Sequence, residues 1–154
     1  MDDSPPPLFR AARHEDLAAI VALLADDPLG TARETAGSDL TPYASAFEEI
    51  VADGNRFLAV LELDGQVAGC LQLSFIPGLS RAGTRRGQIE GVRIAHHARA
   101  TSRGRAFLEW AIEECRRRGC GLVQLTTDKQ RTGARAFYER LGFSASHEGM
   151  KLNL

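Results

Sequence analysis

The sequence predicts an α/β chain of the α+β kind, with six to seven strands and about four flanking helices, and three observations carry that expectation. Two apolar, partly alternating runs, Phe57 to Leu63 and Val67 to Ile76, are joined by Asp64-Gly65. Both central residues of a type I′ turn need positive φ, so Asp-Gly between such runs signals a hairpin. Ser102 to Gly119 carries Phe107, Leu108, Ala111, Ile112 and Cys115 on one stripe, the period of an amphipathic helix. Shorter strand-like and helix-like runs alternate through the rest of the chain.

In order, Leu8 to Ala12 reads as a strand, and Asp16 opens a helix with Leu17, Ile20, Val21 and Leu24 on one face. Residues 27–40, with Pro28, Gly30, Gly37 and Ser38, break that pattern into a loop or short irregular helix. Thr41-Pro42 reads as an N-cap followed by Pro at the first helical position. Ala46, Phe47, Ile50 and Val51 supply that helix with apolar residues, and Asp53-Gly54 ends it. After a loop from Pro77 to Gly87, Gln88 to Ala95 alternates as a strand. The long helix carries Glu113/Arg117 and Glu114/Arg118 as favourable i,i+4 pairs and stops at Gly119. Leu122 to Thr126 is a short strand, Thr132 to Leu141 a helix, and Phe143 to Leu154 a terminal strand pair around Gly149.

The 154 residues fit one domain, 1–154, large enough to need neither disulfides nor a structural metal. The formal net charge of −1 excludes a generally basic nucleic-acid binder. There is no long apolar run of the length a membrane span needs, and the opening residues lack the basic and apolar regions of a signal peptide, so a cytoplasmic location and no membrane partner are expected. Cys70, Cys115 and Cys120 read as structural thiols. The adjacent His96 and His97 lack a ligand cluster around them, so no metal is expected.

The small total conceals a division. Residues 1–64 hold thirteen acids and four bases, a balance of −9, whereas residues 65–154 hold fifteen bases and seven acids, or +8. The second half is therefore suited to an anionic ligand. Its most suggestive segment is Ala98-Arg99-Ala100-Thr101-Ser102-Arg103-Gly104-Arg105, a small-residue turn between a strand and a long helix. Such a turn converges backbone N–H groups at a helix start, where the dipole favours an anion. Arg81, Arg85, Arg86 and Arg93 are expected to add charge around the same ligand.

Together with Phe137-Tyr138-Glu139-Arg140-Leu141-Gly142-Phe143 and Ile89-Glu90-Gly91-Val92, this turn resembles the GNAT superfamily of acetyl-CoA-dependent N-acetyltransferases. The family's cofactor loop follows a Gln/Arg-x-x-Gly-x-Gly/Ala pattern, and Arg99, Ser102 and Gly104 stand at its patterned positions. Ala100 and Ser102 replace residues that are commonly glycine there. The resemblance implies a mixed, mostly antiparallel sheet, with Val92, Arg93 and Ile94 holding the pantetheine arm of acetyl-CoA. It implies that Arg99, Ala100, Thr101, Ser102, Arg103, Gly104 and Arg105 cradle its pyrophosphate. Tyr138 would then donate a proton to the leaving thiolate, and Glu90 would either remove a proton from the amine or serve a structural role. The implied acceptor is the primary amine of a small molecule, cationic if the acidic half shapes its pocket. A homodimer is common in the family. The altered glycines keep a second reading open, a catalytically weak or inactive GNAT-like module that binds CoA or a partner.

Overall fold

The computed structural model describes residues 5–26, 28–34 and 39–154. Its centre is a five-stranded sheet in the order β1-β2-β3-β4-β5, formed by Leu8–Ala11, Arg56–Leu63, Gln66–Ile76, Arg86–Ile94 and Leu122–Leu125. The first four strands are antiparallel, and β5 runs parallel to β4. The helices are α1 (Leu17–Ala25), α2 (Pro28–Arg33), α3 (Thr41–Ala52), α5 (Ser102–Arg117) and α6 (Thr132–Arg140), with a single turn, α4 (Ser80–Gly83), between β3 and β4. Arg81 and Ala82 in that turn lie in the left-handed region, so it reverses the chain without beginning a true helix.

The hairpin forms as expected: Asp64 and Gly65 take φ of 51° and 77°. Adjacent residues of β2 then point to opposite faces of the sheet. Phe57 meets Trp110 of α5, and Phe9 stacks on Phe107 at 5.5 Å. Leu58 packs on the other side with Leu17, Val21 and Phe47 of α1 and α3. The sheet is thus sandwiched between helices, with Val60, Leu61, Leu71, Leu73 and Phe107 fully enclosed.

Several local expectations change. The chain from Phe143 to Leu154 contains no strand, so the sheet has five strands rather than six or seven. Met150, Leu152 and Leu154 alternate as a strand would, yet they find no neighbouring backbone and stay exposed. Thr41 is the first residue of α3 rather than its cap, and the Asp39 carboxylate accepts its N–H at 2.9 Å. Of the apolar residues assigned to α3, Phe47 is buried whereas Ala46 and Val51 face solvent, and Tyr43 and Ala44 take their place in the packing. The α5 charges pair at i,i+3, Glu113 with Arg116 and Glu114 with Arg117. The break after α1 contains the short α2, and Gly37 and Ser38 lie outside the described residues.

Cys70 and Cys115 are buried and their thiols are pushed up to about 12 by desolvation, which keeps them protonated and inert, as structural thiols should be. At the opposite corner, Arg10 grips buried Asp16 through two bonds of 2.8 and 3.1 Å and reaches Glu62 at 2.7 Å. The Arg13 N–H adds a fourth contact at 2.7 Å to the Asp16 carboxylate. These bonds tie β1 to β2 and fix the point where α1 begins.

The hydrogen bond from Arg10 holds the Asp16 carboxyl below its ordinary value of 3.8. Its stabilisation is therefore complete above that value and is lost as pH falls through the lower value of the folded protein. Asp16→Ala leaves Arg10 with one partner in a largely buried place, and urea titration at neutral pH should show a loss of about 3 kcal/mol. The gap between wild type and variant should close on acidification, whereas an unchanged midpoint at neutral pH would refute the assignment.

Candidate functional site

The pairing of β4 contains a fault. Gln72 pairs with Glu90 and Cys70 with Arg93, so Gly91 and Val92 together oppose Leu71. Gly91 adopts φ +60°, the left-handed geometry of a β-bulge that glycine takes without penalty. The parallel ladder to β5 ends with Ile89 opposite Leu125, just before that bulge. Beyond it β4 continues from Glu90 to Ile94 with no strand on its β5 side. An isolated glycine within an alternating run was the available sequence signal for this bulge.

This open stretch carries Val92, Arg93 and Ile94, all half-buried. Two of its carbonyls are already engaged by guanidinium groups: Arg93 donates to Val92 O at 2.9 Å, and Arg99 Nε donates to Ile94 O at 2.9 Å. After Ile94 the chain makes a 3-10 turn at His96–Ala98, where both histidines are exposed. Ala100 then takes φ +57°, a left-handed conformation at a position the family commonly gives to glycine. Thr101 is the N-cap of α5: its Oγ1 accepts the Arg103 N–H at 3.3 Å and donates to Ala98 O at 2.7 Å. Ser102 is the first helical residue, so the cap belongs to its neighbour. Gly104 lies over β4, and a Cβ there would stand 3.6 Å from Ile94. The helix start and the open strand therefore adjoin. Arg103 lies in the first turn, and Arg105 pairs with Glu109 at 2.8 Å.

The other wall supplies protic side chains. Gln124 of β5 donates to Gln88 Oε1 at 2.8 Å, and Gln88 Nε2 donates to Glu90 Oε1. Glu90 is exposed, at the end of this three-residue relay. Tyr138 is half-buried on α6, edge-on to Phe137 and Phe143 at 5.5 and 6.0 Å. Desolvation raises its phenol above the ordinary value of 10, with the charges of Arg93 and Arg131 opposing part of the rise. Tyr138 thus keeps its proton at neutral pH, and the Arg93 charge on β4 reaches it.

Two features escape motif reading because their partners are remote in sequence. Arg33 at the end of α2 meets Asp128, in the loop between β5 and α6, at 3.2 Å. Tyr43 of α3 donates to Glu34 at 2.7 Å. These contacts join the helices of the acidic half to the β5 side of the sheet. The expected gathering of arginines is also corrected. Arg81, Arg85 and Arg86 lie at the start of β4, whereas Arg99, Arg103 and Arg105 follow its other end. Because an eight-residue rise separates the two ends, about 26 Å of extended chain, these two groups cannot meet one phosphate.

A bulged antiparallel sheet whose single parallel pair opens beside a helix start is the GNAT-like fold that the resemblance implied. The acetyltransferase (GNAT) family model matches residues 17–143, and the chain belongs to that family. An aminoalkylphosphonate N-acetyltransferase from Salmonella typhimurium is 29% identical over 109 residues, 71% of this chain and 70% of that protein. A glucosamine 6-phosphate N-acetyltransferase from Trypanosoma brucei brucei is 32% identical over 58% of this chain and 59% of its own length. The crystal structure of a transcriptional regulator from Bacillus halodurans C-125 superposes with a TM-score of 0.93 at 44% identity, covering 97% of this chain and all of that one.

Left-handed backbone costs a residue with a Cβ roughly 1–2 kcal/mol, and glycine recovers it at the price of a more flexible unfolded chain. Ala100→Gly should accordingly raise stability by about 0.5 kcal/mol in urea titration. A clear loss of stability would show that Ala100 is not held in this conformation.

Proposed function

We propose that this chain is an N-acetyltransferase that moves the acetyl group of acetyl-CoA to the primary amine of a small acceptor by direct attack. The observation that carries the reading is the open edge of β4 leading into the capped start of α5. An extended amide-bearing arm can pair with Val92, Arg93 and Ile94 as a further strand would, and a pyrophosphate can then meet the helix start. Arg99, Ala100, Thr101, Ser102, Arg103, Gly104 and Arg105 form that cradle, with positive charge from the arginines. Family membership supports the same cosubstrate.

Glu90 accepts a proton from the acceptor's ammonium, directly or through water, since an alkyl amine with pKa near 10 attacks only when neutral. The Gln88–Gln124 relay holds the carboxylate in place for this. The amine nitrogen then bonds to the thioester carbonyl carbon, while an N–H near Val92 receives the developing oxyanion. As the carbon–sulfur bond breaks, Tyr138 gives its proton to sulfur, and the products are the acetamide and free CoA. The Asp128–Arg33 contact ties α2 to the loop after β5 and Tyr43 bonds Glu34; the acceptor is proposed to bind on this side, where the acids of the first half would attract a cationic amine. Both curated relatives are named for small amine acceptors that also bear phosphorus, so amines of that size make the first test set. The proposal covers one domain, residues 1–154, in the cytoplasm; among the described residues, no helix is long and apolar enough to cross a membrane, and no cluster of His, Cys, Asp and Glu could hold a metal.

A second reading, a CoA-binding module without catalysis, is favoured by Ala100 and by the regulator name of the Bacillus halodurans relative. Thiol release from acetyl-CoA across a panel of amines separates the two. The enzyme should release thiol with at least one small amine, whereas CoA binding in calorimetry with no turnover across the panel selects the module. No binding of acetyl-CoA at all would overturn both.

Tyr138→Phe should lower kcat by about 100-fold, the lower end of what a positioned acid contributes. Because the phenol is raised above 10, wild-type activity should show no loss from this group until pH passes that value. An unchanged kcat in the variant would remove Tyr138 from the chemistry while leaving the cosubstrate site intact.

A further inference from the structure

The open edge of β4 is not bare in the folded chain. The Ala95 N–H donates to Ala68 O of β3 at 2.7 Å. In a trans peptide the C=O and N–H point in opposite directions, so the Ile94 carbonyl of the same peptide faces away from β3, into the edge that β5 leaves unpaired. That carbonyl is occupied by Arg99, whose Nε reaches back across five residues to donate to it at 2.9 Å. The Val92 carbonyl is covered by Arg93, its neighbour on the strand, whereas Arg99 comes from the turn that leads into α5.

The two halves of Arg99 are held very differently. Its main chain is anchored, the N–H being shared between Ala95 O at 3.1 Å and His96 O at 3.2 Å. Its side chain is exposed and forms no ion pair with the described residues, so the bond to Ile94 O is what keeps the guanidinium on the strand. The first turn of α5 lies beside the same place, since a Cβ on Gly104 would stand 3.6 Å from Ile94 Cγ1. A rotation of side-chain torsions therefore carries this guanidinium from the strand edge toward the helix start, where the dipole favours an anion. Leaving the carbonyl for water forfeits a hydrogen bond, whereas leaving it for a phosphate replaces that bond with charge-assisted ones of about twice the strength.

We propose that Arg99 gates the edge of β4: its guanidinium holds the Ile94 carbonyl until an anion at the start of α5 draws it away, so the edge pairs fully with an amide-bearing arm only when phosphate arrives with it. The inference rests on the acetyl-CoA reading above and adds a basis for selection among thioesters. A nucleotide-bearing thioester exchanges the carbonyl bond for stronger ones, while a phosphate-free thioester of pantetheine must break the same bond without compensation. Arg99 is thus a specificity-determining residue that disfavours short thioesters. Binding of the arm and binding of the phosphate become coupled, and the coupling acts equally in both directions.

The test is a chemical-shift titration of the full chain with CoA, pantetheine and inorganic pyrophosphate. In wild type, pyrophosphate alone should move the Arg99 Nε–H and Ala95 amide resonances, and at saturation it should tighten pantetheine binding about 5-fold, the worth of one hydrogen bond. Arg99→Met keeps the stem and removes the donors. It should bind pantetheine about 5-fold more tightly than wild type, gain nothing further from pyrophosphate, and bind CoA more weakly. Three results would each overturn the gate while CoA binding leaves the cosubstrate site standing: an Arg99 Nε–H unmoved by pyrophosphate, a variant whose pantetheine affinity is unchanged or lower, or a pyrophosphate effect that survives the substitution. A wild type that binds no CoA removes the cosubstrate reading and the gate together.

Discussion

The bulge at Gly91 is the constraint from which the rest of the site follows. The four residues of β5 pair only with Arg86 to Ile89 of the nine-residue β4, and the bulge falls just where that pairing ends. Two residues, Gly91 and Val92, fit opposite Leu71 just after Ile89 has paired with Leu125, and Glu90 to Ile94 have no strand on the β5 side. Cys70 records the same event from the neighbouring strand, with its Sγ 3.7 Å from Gly91 O. The buried hairpin of β2 and β3 holds the bulge in register, because a slip by one residue would move Val60, Leu71 and Leu73 to the opposite face of the sheet and break their packing.

Charge acts on top of this geometry in a more local way than composition suggests. Four acids of the first half are engaged within the fold: Asp16 and Glu62 with Arg10, Asp53 with Arg56, and Glu34 with the Tyr43 hydroxyl. In the second half, Glu109, Glu113 and Glu114 pair with arginines of their own helix. Exposed pairs of this kind are worth little individually, so they moderate the field rather than build the fold. What remains concentrated is the group at Arg93, Arg99 and Arg103, near the end of β4 and the start of α5. Two of these bond to the Val92 and Ile94 carbonyls.

Legibility in the sequence tracked the range of the interaction. The Asp64-Gly65 turn, the α5 stripe and the helix start at 98–105 are encoded by neighbours, and each formed where neighbours placed it. The Arg33–Asp128 contact spans 95 positions and the Arg10–Glu62 bond 52, and no local pattern announces either. The α3 stripe misled for a related reason: Val51 has the hydrophobicity of a core residue, but only the docking angle of α3 decides that Tyr43 and Ala44 pack instead. Phe143 to Leu154 shows another case, where Met150, Leu152 and Leu154 alternate in the sequence but no strand forms and all three stay exposed.

In the proposed reaction the open edge of β4 and the start of α5 act as one continuous receptor for a nucleotide-bearing thioester. The most direct measurement is an amide chemical-shift titration of the assigned protein with CoA. The largest shifts should fall together on Val92, Arg93 and Ile94 and on Ala100 through Arg105, with smaller changes at Tyr138. Shifts centred on the β3–β4 turn around Arg81 and Arg85, or an unperturbed spectrum at saturating CoA, would contradict it.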